Sequence, residues 1–345
     1  MRGTEGVIDN ERLQKRLIAF LDALPESMKS EIAFGVPLSP FTTLRVGGNA
    51  DIYYLARERG AMARIVEIAQ TLDIPYFLLG GGSNICISDS GVRGLTIHNC
   101  CQAVDLGVIT RCDTGYSLMQ LFLDSAKSNL SGLEFAVGIP GTLGGALVSN
   151  AGAYRDNIGH LICDVDVVEG GVCKNVSADW MEFSYRDSKL RRGLSPQPVV
   201  VSARIQLTPG NHSAIIERAR ENQRQRIFKQ PWYPSAGSFF KNVNDSDLAQ
   251  SLPDLPVPLK MAGVVPAGYL NAACGCKGLR VGDAQVSRRH ANFIVNRGCA
   301  TARDIRRLAE IVKRRVRDQF GVELQEEVIY VGDPPDPQSD TDQTE

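Results

Sequence analysis

The segments that are most informative about the fold of this chain are two glycine-rich loops, LLGGGSN at residues 78–84 and VGIPGTLGGALVSNAG at residues 137–152. Glycine lacks the Cβ atom that keeps other backbones away from a ligand, and it permits positive φ in tight turns. Such loops direct main-chain N–H groups at one anion, most often a phosphate. Two of them in one chain predict a dinucleotide that lies across both.

Neither loop matches the two commonest phosphate motifs. The first lacks the third glycine of G-x-G-x-x-G, and no Gly-Lys-[Ser/Thr] follows either one. We predict strands at Tyr76–Leu79 and Ile85–Ile87, which is a strand–loop–strand pattern, whereas a Rossmann fingerprint continues into a helix. The second loop is predicted to enter a short helix, Thr142–Ser149, with Thr142 as its cap. Unpaired N–H groups at that helix start would suit a diphosphate.

The composition favours a small-molecule partner. The chain has 345 residues with a net charge of −1, so no global field attracts nucleic acid or an anionic membrane. Its nine cysteines include no Cys-x-x-Cys pair and its four histidines complete no zinc-type cluster, so we expect no metal. The odd cysteine count fits reduced thiols in the cytoplasm. We expect a cytoplasmic monomer or weak dimer, without a membrane span.

Hydrophobic spacing and turn residues give a coarse map of the chain. Helices are predicted at 11–24, 61–72, 117–129, 213–226 and 302–320, and strands at 41–48, 51–55, 163–169, 198–206 and 322–331. For the last helix, Thr301 and Asp304 form a predicted capping box and Gly321 a C-terminal stop. We expect a helical extension at 1–33, one unit at 34–209, a second at 210–332 and a disordered acidic tail at 333–345.

Seven segments then occur in a characteristic order. They are TTLRVGG (42–48), LLGGGSN (78–84), GIPGTLGGALVSNAGAY (138–154), YRDS (185–188), KQP…PSAGSFFKN (229–242), VSRRHANFIVN (286–296) and LQEEV (324–328). Together they resemble the UDP-N-acetylenolpyruvoylglucosamine reductase (MurB) family. The resemblance implies an α+β fold, in which a two-part FAD-binding unit of PCMH/VAO type precedes a smaller α+β substrate-binding domain.

The resemblance also implies a reaction. NADPH would reduce FAD, and flavin N5 would pass hydride to the enolpyruvyl group of UDP-N-acetylglucosamine enolpyruvate, giving UDP-N-acetylmuramate for peptidoglycan. By the same resemblance Ser238 protonates the enolate, while Arg186 and Glu327 stabilise it. Strand alternation does not choose between Glu326 and Glu327, but the match to the following valine favours Glu327. Taken without the family, Ser238 would be a turn serine.

The resemblance assigns binding residues too. The FAD candidates are Arg45, Gly80, Gly81, Gly82, Ser83, Asn84, Gly138, Pro140, Gly141, Thr142, Gly144, Gly145 and Asn150. The candidates for the UDP-sugar are Tyr154, Lys229 and Asn242. His290 is interpreted as a structural hydrogen-bonding residue rather than a catalytic base.

Three positions depart from the family pattern. Val243 stands where proline is usual, Val264 where lysine is frequent, and Ala272 where an acidic residue is usual. Two alternatives stay open: another FAD oxidoreductase of the same fold, of the alcohol or aldonolactone oxidase type, and a non-catalytic nucleotide-sugar binder. The arginine-rich face of the helix at 302–320 is more simply a solvated face than a nucleic-acid surface.

Overall fold

Spatial contacts divide the chain into two units. The first comprises Met1–Val36, Ala50–Gly82 and Arg93–Lys229, and the second comprises Pro37–Asn49, Ser83–Val92 and Gln230–Glu345. The computed structural model describes residues 2–154, 156–193, 197–227 and 230–332. The domain limits expected at residues 33 and 209 stay predictions, and the tail expected at 333–345 lies outside the described residues.

The helices and strands have these bounds. The α-helices are α1 (Arg2–Ala23), α2 (Glu26–Lys29), α3 (Arg59–Thr71), α4 (Leu118–Lys127), α5 (Leu143–Ser149), α6 (His212–Ile227), α7 (Ser246–Ser251), α8 (Val257–Ala262), α9 (Ala267–Ala273) and α10 (Ala302–Phe320). The strands are β1 (Ile32–Pro37), β2 (Asn49–Ala56), β3 (Tyr76–Leu79), β4 (Ile85–Ile87), β5 (Val92–Asn99), β6 (Val104–Asp105), β7 (Ile109–Asp113), β8 (Leu130–Ser131), β9 (Gly152–Ala153), β10 (Asp156–Asn157), β11 (Ile162–Glu169), β12 (Val172–Ser177), β13 (Val199–Gln206), β14 (Thr208–Pro209), β15 (Val243–Asn244), β16 (Val264–Val265), β17 (Arg280–Val281), β18 (Ala284–Val286), β19 (Ile294–Asn296) and β20 (Ile329–Val331).

Within the described residues, the first unit contains two short ladders, β9 with β10 and β8 with β14, and two large sheets. One has the strand order β1-β2-β5-β3, and β3 runs parallel to β5 with Leu79 opposite His98. The other is antiparallel, with the order β12-β11-β13-β7-β6. Helix α3 packs on β11 and β13, because Met62, Ile65 and Val66 bury one helical face. This mixture of parallel and antiparallel sheets with separate helices confirms the α+β class.

The second unit has its own hydrophobic core, to which α10 contributes Ile305, Leu308 and Val312. The predicted capping box is confirmed, since Thr301 Oγ1 accepts from Asp304 N–H at 3.0 Å and Asp304 accepts from Thr301 N–H at 2.9 Å. Strand β20 pairs in parallel with β4, and β17, β18 and β19 form an antiparallel sheet. The strand after the first glycine loop therefore pairs with the last strand of the fold.

Two strand predictions are wrong. Residues 41–48 form no strand, because the 3-10 turn Ser39–Phe41 is followed by a loop in which Arg45 has φ of 56°. That loop closes on itself through the bond from Arg45 N–H to Thr42 O at 3.1 Å. The strand expected at 322–331 is reduced to Ile329–Val331, preceded by a single bridge between Glu326 and Phe240. Neither segment is a strand of an extended sheet, and both also form contacts with residues that are distant in the chain.

Two further features bear on the chemistry. The nine cysteines all lie within the described ranges, and each is a free thiol. Among the described helices, none combines the length and the apolar character needed to cross a membrane.

Candidate functional site

The two glycine loops meet in the first unit. A Cβ atom placed on Gly81 would lie 2.8 Å from the Cα atom of Gly141, and one on Gly80 would lie 2.7 Å from Thr142 Oγ1. Only glycine allows two backbones to approach as closely as they do at Gly81, and at Gly80 a Cβ atom would collide with the capping hydroxyl of Thr142. Gly141 also has φ of 114°, a conformation that other residues rarely adopt. The sequence prediction that one ligand would lie across both loops therefore has a geometric basis.

The start of α5 differs from the prediction. Thr142 is the cap, as predicted, and its Oγ1 accepts from Gly145 N–H at 3.3 Å. The prediction that the N–H groups of the first turn are unpaired is wrong. Leu143 N–H donates to Tyr116 O at 2.9 Å, and Gly144 N–H donates to Thr114 O at 2.8 Å. The helix start is thus used to fix α5 to the segment before α4.

Other N–H groups are the candidates for binding a phosphate. Within the described chain, the N–H groups of Gly81, Gly141 and Thr142 have no protein acceptor. Gly81 is exposed, and Gly141 and Thr142 are partly exposed, so a ligand can reach them. Adjacent N–H donors in a glycine-rich concavity are the usual environment of a phosphate. The structure therefore shifts the predicted phosphate donors from the first turn of α5 to the contact between the two loops.

Arg186 lies at the tip of a tight turn in the first unit. Ser184 and Asp187 exchange two backbone hydrogen bonds, of 3.1 and 3.3 Å, and Arg186 between them has φ of 54°. Its Nη2 donates to Gly152 O at 2.7 Å, which fixes the guanidinium beside the end of the second glycine loop. A left-handed conformation at a non-glycine residue is a form of strain that is often found at functional sites.

Asn150 holds that turn. Its Nδ2 donates to Ser184 O at 2.9 Å, and its Oδ1 accepts from Gly159 N–H at 3.1 Å. The side chain is buried, so both bonds are shielded from water. The cofactor role predicted for Asn150 stays a prediction, and the structure adds a contact to the Arg186 turn.

Tyr154 comes two residues after Gly152, whose carbonyl binds Arg186, but its hydroxyl is bonded elsewhere. It also has positive φ, of 58°, and its hydroxyl donates to Asn222 O on α6 at 2.5 Å. Its predicted contact with the UDP-sugar stays a prediction.

In the second unit, the Ser238 segment pairs with the Glu327 segment. Glu327 N–H donates to Phe239 O at 2.8 Å, and Lys241 N–H donates to Gln325 O at 2.8 Å. Ser238 directly precedes Phe239, so its backbone is adjacent to that of Glu327. The structure thus brings together two of the three predicted catalytic residues, while Arg186 belongs to the first unit.

The structure also separates the roles of Glu326 and Glu327. Tyr330 Oη donates to Glu326 Oε1 at 3.2 Å, and Lys313 Nζ lies 3.8 Å from the same oxygen. Burial, together with the neighbouring Glu326, raises the pKa of the Tyr330 hydroxyl, which therefore stays a donor. Glu326 is therefore bonded to Tyr330 and paired with Lys313 of α10, and the catalytic role predicted for Glu327 stays a prediction.

Sequence reasoning missed two buried asparagines of VSRRHANFIVN. Asn292 bonds to Phe239 and Phe240, directly after Ser238. Asn296 Nδ2 donates to Leu44 O at 3.1 Å, next to Arg45. Buried asparagines within an apolar run are the signal that could have identified them, since a buried amide needs specific partners. His290 Nδ1 accepts from Asn292 N–H at 3.2 Å, and its interpretation as a structural residue stays a prediction.

The remaining predicted residues are placed as follows. Arg45 is exposed on the loop after the 3-10 turn Ser39–Phe41. Asn242 Oδ1 accepts from Ala267 N–H at the start of α9, at 3.3 Å. Lys229 lies outside the described residues. Among the residues that the structure does describe, no group of three or more His, Cys, Asp or Glu side chains is placed to hold a metal.

Two of the three departures from the family pattern share one ladder. β15 pairs with β16 so that Val243 is opposite Val265 and Asn244 is opposite Val264. Valine at position 243 retains the N–H group that proline lacks, so this position can donate in the ladder. The departures at Val243 and Val264 therefore lie next to each other in one two-stranded ladder.

Two family models match parts of this chain. A model described as an FAD-binding domain matches residues 50–171, which include both glycine loops. A model of the C-terminal domain of UDP-N-acetylenolpyruvoylglucosamine reductase matches residues 229–331, which include Ser238 and Glu327.

Whole-chain relatives point the same way. The UDP-N-acetylenolpyruvoylglucosamine reductase of Synechococcus elongatus is 39% identical over 313 residues, which are 89% of this chain and 97% of that protein. The protein of that name from Anoxybacillus flavithermus is 36% identical over 300 residues, covering 86% and 92%. A crystal structure of MurB from Thermus caldophilus matches with a TM-score of 0.69 and 31% identity, covering 88% of this chain and 98% of that one. This chain therefore belongs to the UDP-N-acetylenolpyruvoylglucosamine reductase family.

Proposed function

We propose that the protein is an FAD-dependent reductase that uses NADPH to convert UDP-N-acetylglucosamine enolpyruvate into UDP-N-acetylmuramate for peptidoglycan synthesis. The observation that carries this proposal is the pairing of the Ser238 and Glu327 segments within a member of this family. A proton donor and an acid on adjacent backbones are what reduction of an enolpyruvyl ether requires, because the enolate must be both stabilised and protonated.

The residues present fit FAD. The N–H groups of Gly81, Gly141 and Thr142 would hold its diphosphate. Their arrangement depends on glycine at position 81, because a Cβ atom there would force the two loops apart. When bound, FAD supplies the transfer of hydride from NADPH to the substrate double bond.

The protein's own groups would supply charge and a proton. Arg186 would bind the substrate carboxylate through parallel N–H groups, and this contact strengthens as negative charge develops. Glu327, held protonated, would donate a hydrogen bond to the same enolate. The Ser238 hydroxyl would deliver its proton to the carbon atom that carries the charge. Serine is a weak acid in water, but a strongly basic carbon in a dry site drives the transfer.

The experiment is an anaerobic titration in two steps. The purified protein is expected to be yellow, to bleach with NADPH and to recover its colour when the enolpyruvyl UDP-sugar is added. Bleaching of the flavin by an alcohol or aldonolactone, without bleaching by NADPH, would contradict the proposal. Protein that stays colourless after reconstitution with FAD would exclude a flavoenzyme altogether.

Ser238→Ala tests the proton donor within the same titration. We expect normal bleaching by NADPH and a second step slowed by roughly 10²–10⁴-fold, the usual contribution of a positioned acid. Ser235→Ala is the matched control, because Thr43 Oγ1 donates to the main-chain oxygen of Ser235, which the substitution retains. Equal loss in both steps for Ser238→Ala would contradict the role of the hydroxyl.

We also propose the cytoplasm as the compartment. The nine free thiols support it, because a reducing environment keeps cysteines unpaired.

A further inference from the structure

We propose that Asn292 is a positioning residue for Ser238, which fixes the serine-bearing segment in the geometry needed for proton delivery. The proposal rests on the proposed function, since it assigns a support to the proton donor of that reaction. The sequence alone does not reveal this role of Asn292, because the role depends on residues 239 and 240, far from it in the chain.

Three hydrogen bonds carry the proposal. Asn292 Oδ1 accepts from Phe240 N–H at 3.1 Å, and Nδ2 donates to Phe240 O at 2.9 Å. Asn292 O accepts from Phe239 N–H at 2.7 Å. A single side-chain amide thus satisfies both main-chain groups of Phe240, as a neighbouring strand would.

Burial makes these bonds specific. Asn292 is 4% exposed, and Phe239 and Phe240 are 0% and 2% exposed, so water cannot replace a lost partner. Asparagine is suited to this task because its amide offers an acceptor and donors on one short side chain. Leucine would fill a similar volume but would leave the N–H and carbonyl of Phe240 unpaired.

Ser238 is restrained from this downstream side. On its upstream side, Gly237 has φ of 80°, and no atom lies within 4 Å of the place a Cβ would occupy. The upstream restraints lie further away, where Pro234 O accepts from Asn296 N–H and Ser235 O accepts from Thr43 Oγ1. Phe239 and Phe240 are held between Asn292 on one side and residues 325–327 on the other. The position of the serine hydroxyl is therefore set by the segment to which Asn292 is bonded, and functional groups need such support to stay in productive geometry.

The test uses the FAD-loaded enzyme and follows its two half-reactions separately. For Asn292→Leu we expect bleaching by NADPH within about twofold of the wild-type rate and a second step at least roughly tenfold slower at saturating substrate, as expected for a misplaced catalytic group. The substrate concentration for half-maximal rate should change by less than about twofold, because no substrate contact is removed.

A double-mutant cycle separates positioning from a structural role. In the Ser238→Ala background, Asn292→Leu should slow the second step by less than about twofold, because there is no hydroxyl left to position. Multiplicative losses in the double variant, or equal slowing of both half-reactions by Asn292→Leu, would overturn the proposal. Failure of the wild-type enzyme to perform the second step would instead refute the proposed function.

The matched control is Asn271→Leu. Asn271 is also fully buried in the second unit, and its Nδ2 donates to Ala291 O at 3.1 Å rather than to residues 239 or 240. The rate of the second half-reaction of Asn271→Leu should stay within about twofold of the wild-type rate.

Asn292→Asp keeps the proposal falsifiable if the leucine variant does not fold. The neutral acid can accept from Phe240 N–H and donate to Phe240 O, whereas the carboxylate has no donor. Because burial raises a carboxyl pKa, the second step of this variant, relative to wild type, should recover as the pH falls from about 8 to about 6. A pH profile parallel to that of the wild type would overturn the proposal.

Discussion

Asn84 of the first glycine loop is bonded to the backbone of Glu327. Its Nδ2 donates to Glu327 O at 3.1 Å, and its own carbonyl accepts from Ile329 N–H at 3.0 Å. The segment that carries Glu327 is also bonded to Phe239, which directly follows Ser238. A residue predicted to bind the cofactor therefore fixes the segment that carries the proposed acid, and the parallel pairing of β4 with β20 continues this connection.

Asn84→Ala should affect the second half-reaction more than cofactor content. The substitution removes the bond to Glu327 O, worth about 1 kcal/mol, and frees the acid to move. We expect recovery of colour by the enolpyruvyl UDP-sugar to slow by roughly three- to tenfold, with FAD content after purification close to that of wild type. Asn244→Ala, at an exposed asparagine, serves as control. Loss of FAD with a normal second step would show that Asn84 acts on the cofactor instead.

Local signals in the sequence predicted the parts of the fold that local chemistry determines. The strands Tyr76–Leu79 and Ile85–Ile87 have the predicted bounds, because each is a short apolar run next to glycine or polar residues. The Thr301–Asp304 capping box was predictable for the same reason, since its bonds span three residues.

Distant partners explain what the sequence could not predict. The segment Thr42–Val46 has β-branched residues that favour a strand, but Thr43 Oγ1 bonds to Ser235 O and Asn296 bonds to Leu44 O, so the segment becomes a loop. Likewise, the pairing of Ser238 with the Glu327 segment joins residues far apart in the chain. No local pattern contains such a contact, and only family resemblance pointed to it.

Asn271→Ile should be close to neutral for stability. Within the described chain, Asn271 Oδ1 is buried without a hydrogen-bond partner, which costs about 1–3 kcal/mol. The substitution relieves that cost but also removes the bond to Ala291 O. We therefore expect the free energy of unfolding to change by less than about 1 kcal/mol, measured by urea denaturation. Destabilisation by more than about 3 kcal/mol would mean that the amide oxygen has a partner in solution, such as a buried water.

Acid should weaken the first unit through Asp164. Arg204 bonds to both carboxylate oxygens, Nε to Oδ1 at 2.8 Å and Nη2 to Oδ2 at 2.6 Å. These bonds from Arg204 lower the pKa of Asp164 in the folded state. A lowered folded-state pKa contributes stability that is present above the unfolded pKa of about 3.9 and is lost as the pH falls through the folded pKa.

The measurement is urea unfolding of Asp164→Asn and wild type at several pH values. The stability difference between them should be largest near neutral pH and shrink as the pH falls below about 4. Asp105→Asn, at an exposed residue of β6, should show little difference throughout. A difference that stays constant into acid would mean that Asp164 is not the titrating group.

Gly81→Ala should abolish or strongly weaken FAD binding. The new methyl group would lie 2.8 Å from Gly141 Cα, which is backbone and cannot move aside without opening the contact between the two loops. Because the proposed diphosphate donors Gly81, Gly141 and Thr142 are on both sides of that contact, we expect at least roughly a hundredfold weaker FAD binding, or about 2.7 kcal/mol. Gly60→Ala is the matched control, since no atom lies within 4 Å of its Cβ position on α3. Fluorescence titration of the apoprotein with FAD gives both affinities, and near-normal binding by Gly81→Ala would exclude the loop contact as the phosphate site.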